Sequence, residues 1–314
     1  MPSPSRNPEA VLPSRPSPEA VLRRLEWTVI RRLDGLLHGD YRTLFRGFGL
    51  DLADIREYQY GDDVRHIDWN VTARLQAPYV REYHEDREVT GWFLLDLSRS
   101  VDFGSQAKKA AISEEFVAVV ARLLSSHGNR VGAMLYGDEL EAVIPARNGR
   151  RQVLHILHRM TARGEAPEGR ATDLEAFLRS AIRTIKRRSL VFVVSDFISA
   201  PGWERALLQL AQRHEVIAVR LHDPLESALP DLGLVVFQDA ETGEQLFVDT
   251  HDKGFRERFF QEAMKREENL RAAFAQAGVD ALELATDADI ADTVVRFAAL
   301  RKRRGGRAHE LRVA

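Results

Sequence analysis

The chain has 314 residues, of which 44% are hydrophobic, and this is enough for a substantial core in one large or two modest domains. Its formal net charge of −2 gives no overall electrostatic reason to expect nucleic acid or an acidic membrane as a partner. The sequence has no cysteine, which excludes disulfides and thiolate metal sites, and its Pro- and Ser-rich start lacks the apolar region of a signal peptide. No stretch has the roughly 20 apolar residues of a transmembrane helix, so we expect a soluble, cytoplasmic protein.

The first part of the chain divides into a tail and a longer segment. Residues 1–16 are rich in proline and serine and are expected to be disordered. The segment 17–88 begins with a predicted amphipathic helix that ends before Gly39. Its apolar stripe consists of Val21, Leu25, Val29, Leu33 and Leu36. Arginines on the other faces leave contact with a membrane surface open, although a solvated face on a packed helix is the better interpretation.

Charged and aromatic residues crowd the stretch 47–90, which has few aliphatic residues for a core of its own. We therefore expect it to pack on the domain that follows, with a strand over 79–83. It is either a docking surface for a partner protein or a structural collar held by ion pairs, and the residue types favour neither. The docking candidates are Arg56, Tyr58, Asp62, Asp63, Arg65, Asp68, Trp69 and Arg74.

Strands alternate with helices over the main domain, residues 89–302. The predicted strands cover 92–96, 131–136, 140–144, 190–195, 216–221, 234–237, 246–248 and 281–284. The predicted helices cover 107–126, 151–162, 174–186, 201–213, 255–278 and 289–301. This alternation predicts an α/β fold with a doubly wound, mostly parallel, Rossmann-like sheet, preceded by the charged N-terminal extension. Residues 303–314 are expected to form a basic flexible tail.

Polar residues follow the most apolar of the predicted strands. Asp96, Ser98 and Ser100 have a spacing of two, which converges three oxygen-bearing side chains on one point. Two further oxygen donors, Thr172 and Asp196, lie on loops that a doubly wound sheet brings to the same edge. Carboxylate and hydroxyl oxygens suit Mg²⁺ or Mn²⁺, so these five residues are predicted as a metal site.

Each of these residues also has an ordinary structural interpretation. The motif Thr172-Asp173-Leu174-Glu175 matches a helix capping box with Thr172 as the N-cap. Asp196 is a candidate cap for the helix near Pro201, and Ser98 and Ser100 suit a turn. Their joint occurrence at the expected strand and helix ends favours the metal site.

The five residues resemble the metal-ion-dependent adhesion site of von Willebrand factor type A domains. Residues 54–74, DIREYQYGDDVRHIDWNVTAR, resemble the signature of a bacterial family called domain of unknown function 58, which places this signature just before such a domain. The resemblance covers roughly residues 20–300 and implies a von Willebrand factor A-type fold over 89–302. One departure is that Arg170-Ala171 precedes Thr172, where A domains often have Gly-Gly.

The resemblance also implies partners and a mechanism. Members of this family are usually encoded beside an AAA+ ATPase of the MoxR branch, and such pairs are thought to act as chaperone-like systems on other complexes. In A domains the bound Mg²⁺ takes a carboxylate from the partner protein. The expected function is therefore a Mg²⁺-dependent adaptor for a MoxR-type ATPase and its client protein, without enzymatic turnover.

Two other functions fit the sequence less well. A metal-dependent hydrolase or phosphatase would need a nucleophile or base beside the ion, and the phosphatase pattern would have an acid where Ser98 stands. The chain also lacks a Gly-x-Ser-x-Gly elbow and a Gly-x-x-x-x-Gly-Lys phosphate loop. Nucleic-acid binding through the arginines of 301–307 is disfavoured because no aromatic residues are interleaved with them.

Overall fold

A computed structural model describes residues 18–19, 54–60, 62, 64, 67–82, 89–105, 107–162, 172–238 and 245–313. The strands are β1 (Asp54–Glu57), β2 (Tyr79–Glu82), β3 (Thr90–Asp96), β4 (Arg130–Tyr136), β5 (Leu140–Arg147), β6 (Leu190–Ser195), β7 (Glu215–His222), β8 (Leu234–Gln238), β9 (Gln245–Asp249) and β10 (Asp280–Ala285). The helices are α1 (Trp69–Leu75), α2 (Lys109–Ser126), α3 (Arg150–Thr161), α4 (Leu174–Thr184), α5 (Trp203–Arg213), α6 (Lys253–Ala277) and α7 (Ile290–Val313). Short 3₁₀ helices cover Arg99–Asp102 and Pro224–Glu226.

Six strands form the central sheet in the order β10-β7-β6-β3-β4-β5. Every neighbouring pair is parallel except β4 and β5, so the antiparallel strand β5 lies at one edge. The order reverses between β3 and β6, which is the switch point of a doubly wound sheet, where ligands bind beyond the carboxyl ends of the strands. The predicted fold class, a doubly wound and mostly parallel Rossmann-like sheet, is confirmed.

Helices cover both faces of this sheet, which explains why its central strands are apolar without interruption. In β3, Phe93 and Leu95 belong to one buried cluster, which includes residues of α2, α3 and α7. Leu94, between them, belongs to the cluster formed with α4, α5 and α6 on the other face. Because successive strand residues point to opposite faces, a strand covered on both sides needs apolar residues at every position.

Most predicted elements of the main domain agree with the structure. The edge hairpin of β4 and β5 and the separate hairpin of β8 and β9 are both confirmed. The short helix α1 and strand β1 were not predicted, and β1 pairs with β2 in a small antiparallel sheet. The helix predicted near residues 17–36 lies outside the described residues, apart from positions 18 and 19.

The last helix differs from the prediction. The helix α7 continues to Val313, whereas the sequence predicted an end near Arg301 and a basic flexible tail after it. Arginine is the commonest residue of this stretch and has high helix propensity, whereas Gly305 and Gly306 disfavour a helix, so residue propensities alone do not explain the extension. None of the helices in the described part of the chain is long and apolar enough to cross a membrane.

Candidate functional site

Asp96 is the last residue of β3 and its side chain is buried at the switch point. The parallel register pairs Leu95 with Val194, so Asp96 lies level with Ser195 at the end of β6. The Ser195 hydroxyl donates to Asp96 Oδ2 at 2.6 Å, and the Ser98 backbone N–H donates to Oδ1 at 3.0 Å. Each carboxylate oxygen has a second lone pair, so both oxygens retain the capacity to bind a metal ion.

Ser98 and Ser100 bring two hydroxyl groups together beside this carboxylate. Ser98 is the N-cap residue of the 3₁₀ helix Arg99–Asp102, and Ser100 lies within that single turn. Their Oγ atoms are 3.0 Å apart, and both side chains are buried. Ser98 therefore links the set: its N–H bonds to the Asp96 carboxylate and its hydroxyl bonds to that of Ser100.

Asp196 and Thr172 lie on two loops that are bonded to each other. Asp196 follows β6 directly, is buried, and accepts the Ile198 N–H on Oδ1 at 3.0 Å. The Ser199 hydroxyl donates to the Thr172 carbonyl at 2.6 Å and fixes the start of α4 against the loop after β6. All five predicted metal residues are thus buried at the same edge of the sheet.

The structural interpretations of Thr172 and Asp196 as helix caps are wrong. The N-cap of α4 is Asp173, whose side chain accepts the Ala176 N–H at 2.8 Å. The N-cap of α5 is Gly202, with no capping side chain. The capping motif was assigned one residue too early, because Thr and Asp are both good N-caps and stand next to each other here.

Burial and charge act together on Asp96. Desolvation, with the nearby charge of Asp196, raises the pKa of Asp96 from 3.8 to about 6 in spite of the hydrogen bonds from Ser195 and Ser98. The cost of the ionised carboxylate at this position is relieved either by a proton or by a cation bound beside it.

Lys109, the first residue of α2, was missed by the sequence analysis. Its side chain is only 1% exposed, and its Nζ lies 2.8 Å from Asp196 Oδ2 and 2.5 Å from Glu226 Oε1. Burial alone would lower the pKa of Lys109, but the charges of Asp196 and Glu226 outweigh it and raise the pKa above its ordinary value. A lysine in the first turn of an amphipathic helix gives no sequence signal for such a role.

Glu226 is held in place by the loop after β7. Its Oε2 accepts the Asp223 N–H at 3.4 Å, and the Asp223 side chain in turn caps the 3₁₀ helix Pro224–Glu226. Asp223 is fully buried and also accepts hydrogen bonds from the backbone and hydroxyl of Ser105 and from the hydroxyl of Thr286. The Asp-Pro-Leu-Glu capping box was the sequence signal that could have identified Glu226.

The residues at this edge suit a divalent cation. The carboxylates of Asp196 and Glu226 pair with the ammonium of Lys109, and the charge of Asp196 also acts on the buried carboxylate of Asp96, so the four groups together carry two formal negative charges. The donor set of carboxylates and hydroxyls matches the preference of Mg²⁺ for oxygen. Within the described ranges no group of three or more His, Cys, Asp or Glu side chains is arranged as a metal site, so water or a partner would have to supply the remaining ligands.

The backbone just after Asp196 is strained. Phe197 has a φ of 57°, in the left-handed region that aromatic residues rarely adopt. Its ring packs against Trp203 and Phe274 with centroid distances of 5.3 and 4.9 Å, and its N–H donates to Ser195 Oγ at 2.9 Å. This packing fixes the turn that presents the Asp196 carboxylate.

A cavity of about 160 Å³ opens beside this turn. It lies between the loops after β6 and β7 and the C-terminal half of α6, and its lining includes Asp196, Trp203, Arg220, Glu226 and Glu267. Arg220 is ion-paired with Glu267 across it. Of the five predicted metal residues, only Asp196 belongs to this lining, and its side chain is fully buried.

The predicted docking residues divide into two groups. Arg56 and Asp62 form a bidentate ion pair with two contacts of 2.8 Å, and this hydrogen bonding lowers the pKa of Asp62. Asp68 is buried and accepts the Val71 N–H at the start of α1. Both arrangements support the local fold.

The other docking candidates are more accessible or not described. Trp69 is 70% exposed, Arg74 is exposed, and Tyr58 is half-buried. Asp63 and Arg65 lie outside the described residues. The exposed indole of Trp69 is the strongest structural reason to regard this segment as a contact surface.

Comparisons with known proteins relate the chain to one sequence family. The profile of the family described as "Protein of unknown function DUF58" matches residues 54–269. Uncharacterized proteins of Mycobacterium bovis and Mycobacterium tuberculosis are each 38% identical over 289 residues, which is 92% of this chain and 91% of the relative.

Solved structures are more distant. An aerotolerance-related membrane protein from Bacteroides fragilis is 13% identical, with a TM-score of 0.45, and the match covers 69% of this chain and 99% of that one. The conserved hypothetical protein BatB from Bacteroides thetaiotaomicron is 12% identical with a TM-score of 0.43, covering 68% and 99%. A von Willebrand factor type A protein from Catenulispora acidiphila is 11% identical with a TM-score of 0.34, covering 69% and 43%.

Proposed function

This chain belongs to the DUF58 family, and from that premise we propose that it is a metal-dependent protein-interaction module whose adhesion site lies at the end of β3. Asp96, Ser98, Ser100, Thr172 and Asp196 hold Mg²⁺, or Mn²⁺ in its place, directly or through water. A carboxylate of the partner protein completes the coordination of the ion. The module binds its partner and carries out no turnover.

One observation carries the proposal. Asp96 is fully buried at the switch point, and burial together with the charge of Asp196 raises its pKa to about 6. Two buried acids side by side are costly unless a cation balances them. Lys109 contacts Asp196 and Glu226, while the protein contacts of Asp96 are neutral donors. A divalent cation beside Asp96 is the group that satisfies this charge.

The proposed partner is an AAA+ ATPase of the MoxR branch together with its client protein, acting in the cytoplasm. This part rests on the family resemblance, since members of the family are usually encoded beside such an ATPase. The ATPase supplies the carboxylate that completes the coordination of the ion, and Trp69 and Arg74 add contacts that need no metal. Contact of the N-terminal segment with a membrane surface is compatible with this function.

A capture experiment tests the proposal. The tagged protein is incubated with purified MoxR-type ATPase from the same genome, once with Mg²⁺ and once with EDTA. We expect capture with Mg²⁺ and its loss with EDTA or in Asp96→Asn, which keeps the side-chain size but removes the charge. The matched control is Asp102→Asn, because Asp102 lies in the same loop but pairs with Lys108 at 3.7 Å.

The outcomes separate the parts of the proposal. Capture that survives both EDTA and Asp96→Asn would show that binding does not use the metal site. If the isolated protein binds Mg²⁺ but does not capture the ATPase, the proposed partner would be wrong and the proposed metal site would stand. A protein that binds no metal ion by calorimetry would reject the adhesion site itself.

A further inference from the structure

The position of Lys109 is unusual for a lysine. It is the first residue of α2, where the positive end of the helix dipole disfavours a cation, and its side chain is 1% exposed. Its neighbour Lys108 is directed to solvent, with 58% of its side chain exposed. Helix stability and solubility therefore do not explain the burial of Lys109.

The contacts of Lys109 tie two loops at the proposed site together. The ammonium bridges Asp196, after β6, and Glu226, in the 3₁₀ helix after β7. Asp196 Oδ1 is occupied by the Ile198 N–H, so the ammonium takes the other oxygen, Oδ2. A fixed positive charge thus lies one carboxylate away from the place proposed for the metal ion.

This charge has opposite effects on the two ligands of the site. It repels a divalent cation and so weakens metal binding, because solvent screens the repulsion between two buried charges only weakly. It also offsets the negative charge that Asp196 would otherwise contribute, so that a bound ion attracts an external anion more strongly. The same residue therefore lowers metal affinity and raises affinity for a carboxylate.

We propose that Lys109 is a built-in counter-charge that determines the specificity of the site, making a bound divalent cation selective for an anionic group of the partner. This inference rests on the proposed function. It adds that the site recognises a carboxylate in preference to a neutral oxygen ligand, and that Lys109 is the reason.

The test measures both affinities in variants of the full chain. Mn²⁺ binding is followed by electron paramagnetic resonance, and acetate binding to the Mn²⁺-loaded protein by the decrease in water-proton relaxation. In Lys109→Met we expect Mn²⁺ to bind roughly tenfold more tightly and acetate roughly tenfold more weakly. The matched control Lys108→Met removes the same charge one residue earlier, at the exposed position, and should change neither affinity.

A second variant changes the charge of the site in the opposite direction. Glu226→Gln removes a carboxylate next to Lys109 while retaining a hydrogen-bond acceptor for the ammonium. It should weaken Mn²⁺ binding and strengthen acetate binding, by smaller factors because Glu226 is 19% exposed. This variant keeps the inference testable if Lys109→Met does not fold.

The outcomes distinguish this inference from the proposed function. Weakening of both affinities in Lys109→Met would overturn it, because Lys109 would then only hold the loops in position. Unchanged affinities in both variants would overturn it as well, with the metal site intact. A wild-type protein that binds no Mn²⁺ would instead reject the proposed function, and this inference would fall with it.

Discussion

The hydroxyl of Ser195 donates a 2.6 Å hydrogen bond to the Asp96 carboxylate and joins the ends of two adjacent parallel strands at the switch point of the sheet. The same Ser195 oxygen accepts the N–H of Phe197, whose φ of 57° turns the chain just beyond Asp196. One side chain therefore connects Asp96 to the loop that carries the second acid.

Replacing Asp96 by asparagine should stabilise the metal-free protein. The buried carboxylate, with a pKa of about 6, is ionised at pH 8 at a cost that the amide does not incur. We expect the free energy of unfolding in EDTA to rise by about 1–3 kcal/mol and the stabilisation by Mg²⁺ to disappear. Urea unfolding at pH 8 with and without Mg²⁺ measures both, and a Mg²⁺ effect equal to that of the wild type would contradict the site.

Replacing Ser195 by alanine should weaken both the fold and the site. The change removes the donor to Asp96 and the acceptor for the Phe197 N–H, and all these groups are buried. We expect a loss of about 1–3 kcal/mol in the free energy of unfolding, together with weaker Mn²⁺ binding. Stability is measured by urea unfolding and Mn²⁺ affinity by paramagnetic resonance. Ser180→Ala in α4 serves as the control, since among the described residues the Ser180 hydroxyl bonds to Ala176 and Arg183, both in the same helix.

The ring of Phe274 supports the strained turn from the side of α6. It packs edge-on against Phe197 at 4.9 Å and lies 6.1 Å from Trp203. Phe274→Ala should therefore cost about 3–5 kcal/mol of stability and also reduce Mn²⁺ affinity, because the turn after Asp196 loses its support. Phe260→Ala on the same helix is the control, since Phe260 is exposed and should affect neither quantity. Unchanged Mn²⁺ affinity in a folded Phe274→Ala protein would show that the turn after Asp196 does not influence metal binding.

Replacing Trp69 by alanine should affect binding without affecting folding. Most of the indole is exposed, so its removal should change the free energy of unfolding by less than about 0.5 kcal/mol. Capture of the partner in Mg²⁺ should fall several-fold while the Mn²⁺ affinity of the protein stays unchanged, because this contact needs no metal. The control is Leu208→Ala, another exposed apolar residue, on α5. Equal capture by the wild type and Trp69→Ala would assign residues 54–82 to a structural role.

The buried residue His214 should make the protein less stable in acid. Burial and the adjacent charge of Arg213 lower the pKa of His214 in the folded state, whereas the unfolded chain has the ordinary value of 6.5. The unfolded state therefore binds the proton more readily, and the contribution to stability that is present above pH 6.5 is lost as the pH falls below it. In His214→Phe we expect a shallower decrease of stability between pH 7 and 5. Thermal unfolding at several pH values measures the slope, and an unchanged slope would contradict this assignment.

The parts of the fold that were predictable are those in which a single strand or helix carries its own pattern. The apolar runs before Asp96 and Asp196 could be identified as buried strands because both faces of the sheet are covered. The helix α1 was missed because Trp69–Leu75 is short, and its cap, Asp68, lies in a run of charged residues. The alternative interpretation of Thr172 as the cap of α4 named the residue before the actual cap, Asp173, because adjacent residues of similar capping ability cannot be separated by pattern.

Only some of the residues at the candidate site could be predicted from the sequence. Asp96, Ser98 and Ser100 are close in sequence, and Asp196 ends a recognisable strand, so topology alone brought them to one edge. Lys109 and Ser195 carry no such signal, since a lysine in an amphipathic helix and a serine at a strand end are both common on surfaces. Their roles depend on long-range contacts, which only the three-dimensional structure gives.

The strand order has a further consequence for the time at which the site forms. The strand β6 inserts beside β3, although α2, β4, β5, α3 and α4 lie between them in the chain, and Ser195 follows Asp96 by 99 residues. A chain that is still emerging from the ribosome therefore exposes Asp96, Ser98 and Ser100 long before their partners exist. Closure of so long a loop is slow and occurs only with the completed sheet. On the proposed function, partner binding through this site would begin only after β6 has joined the sheet.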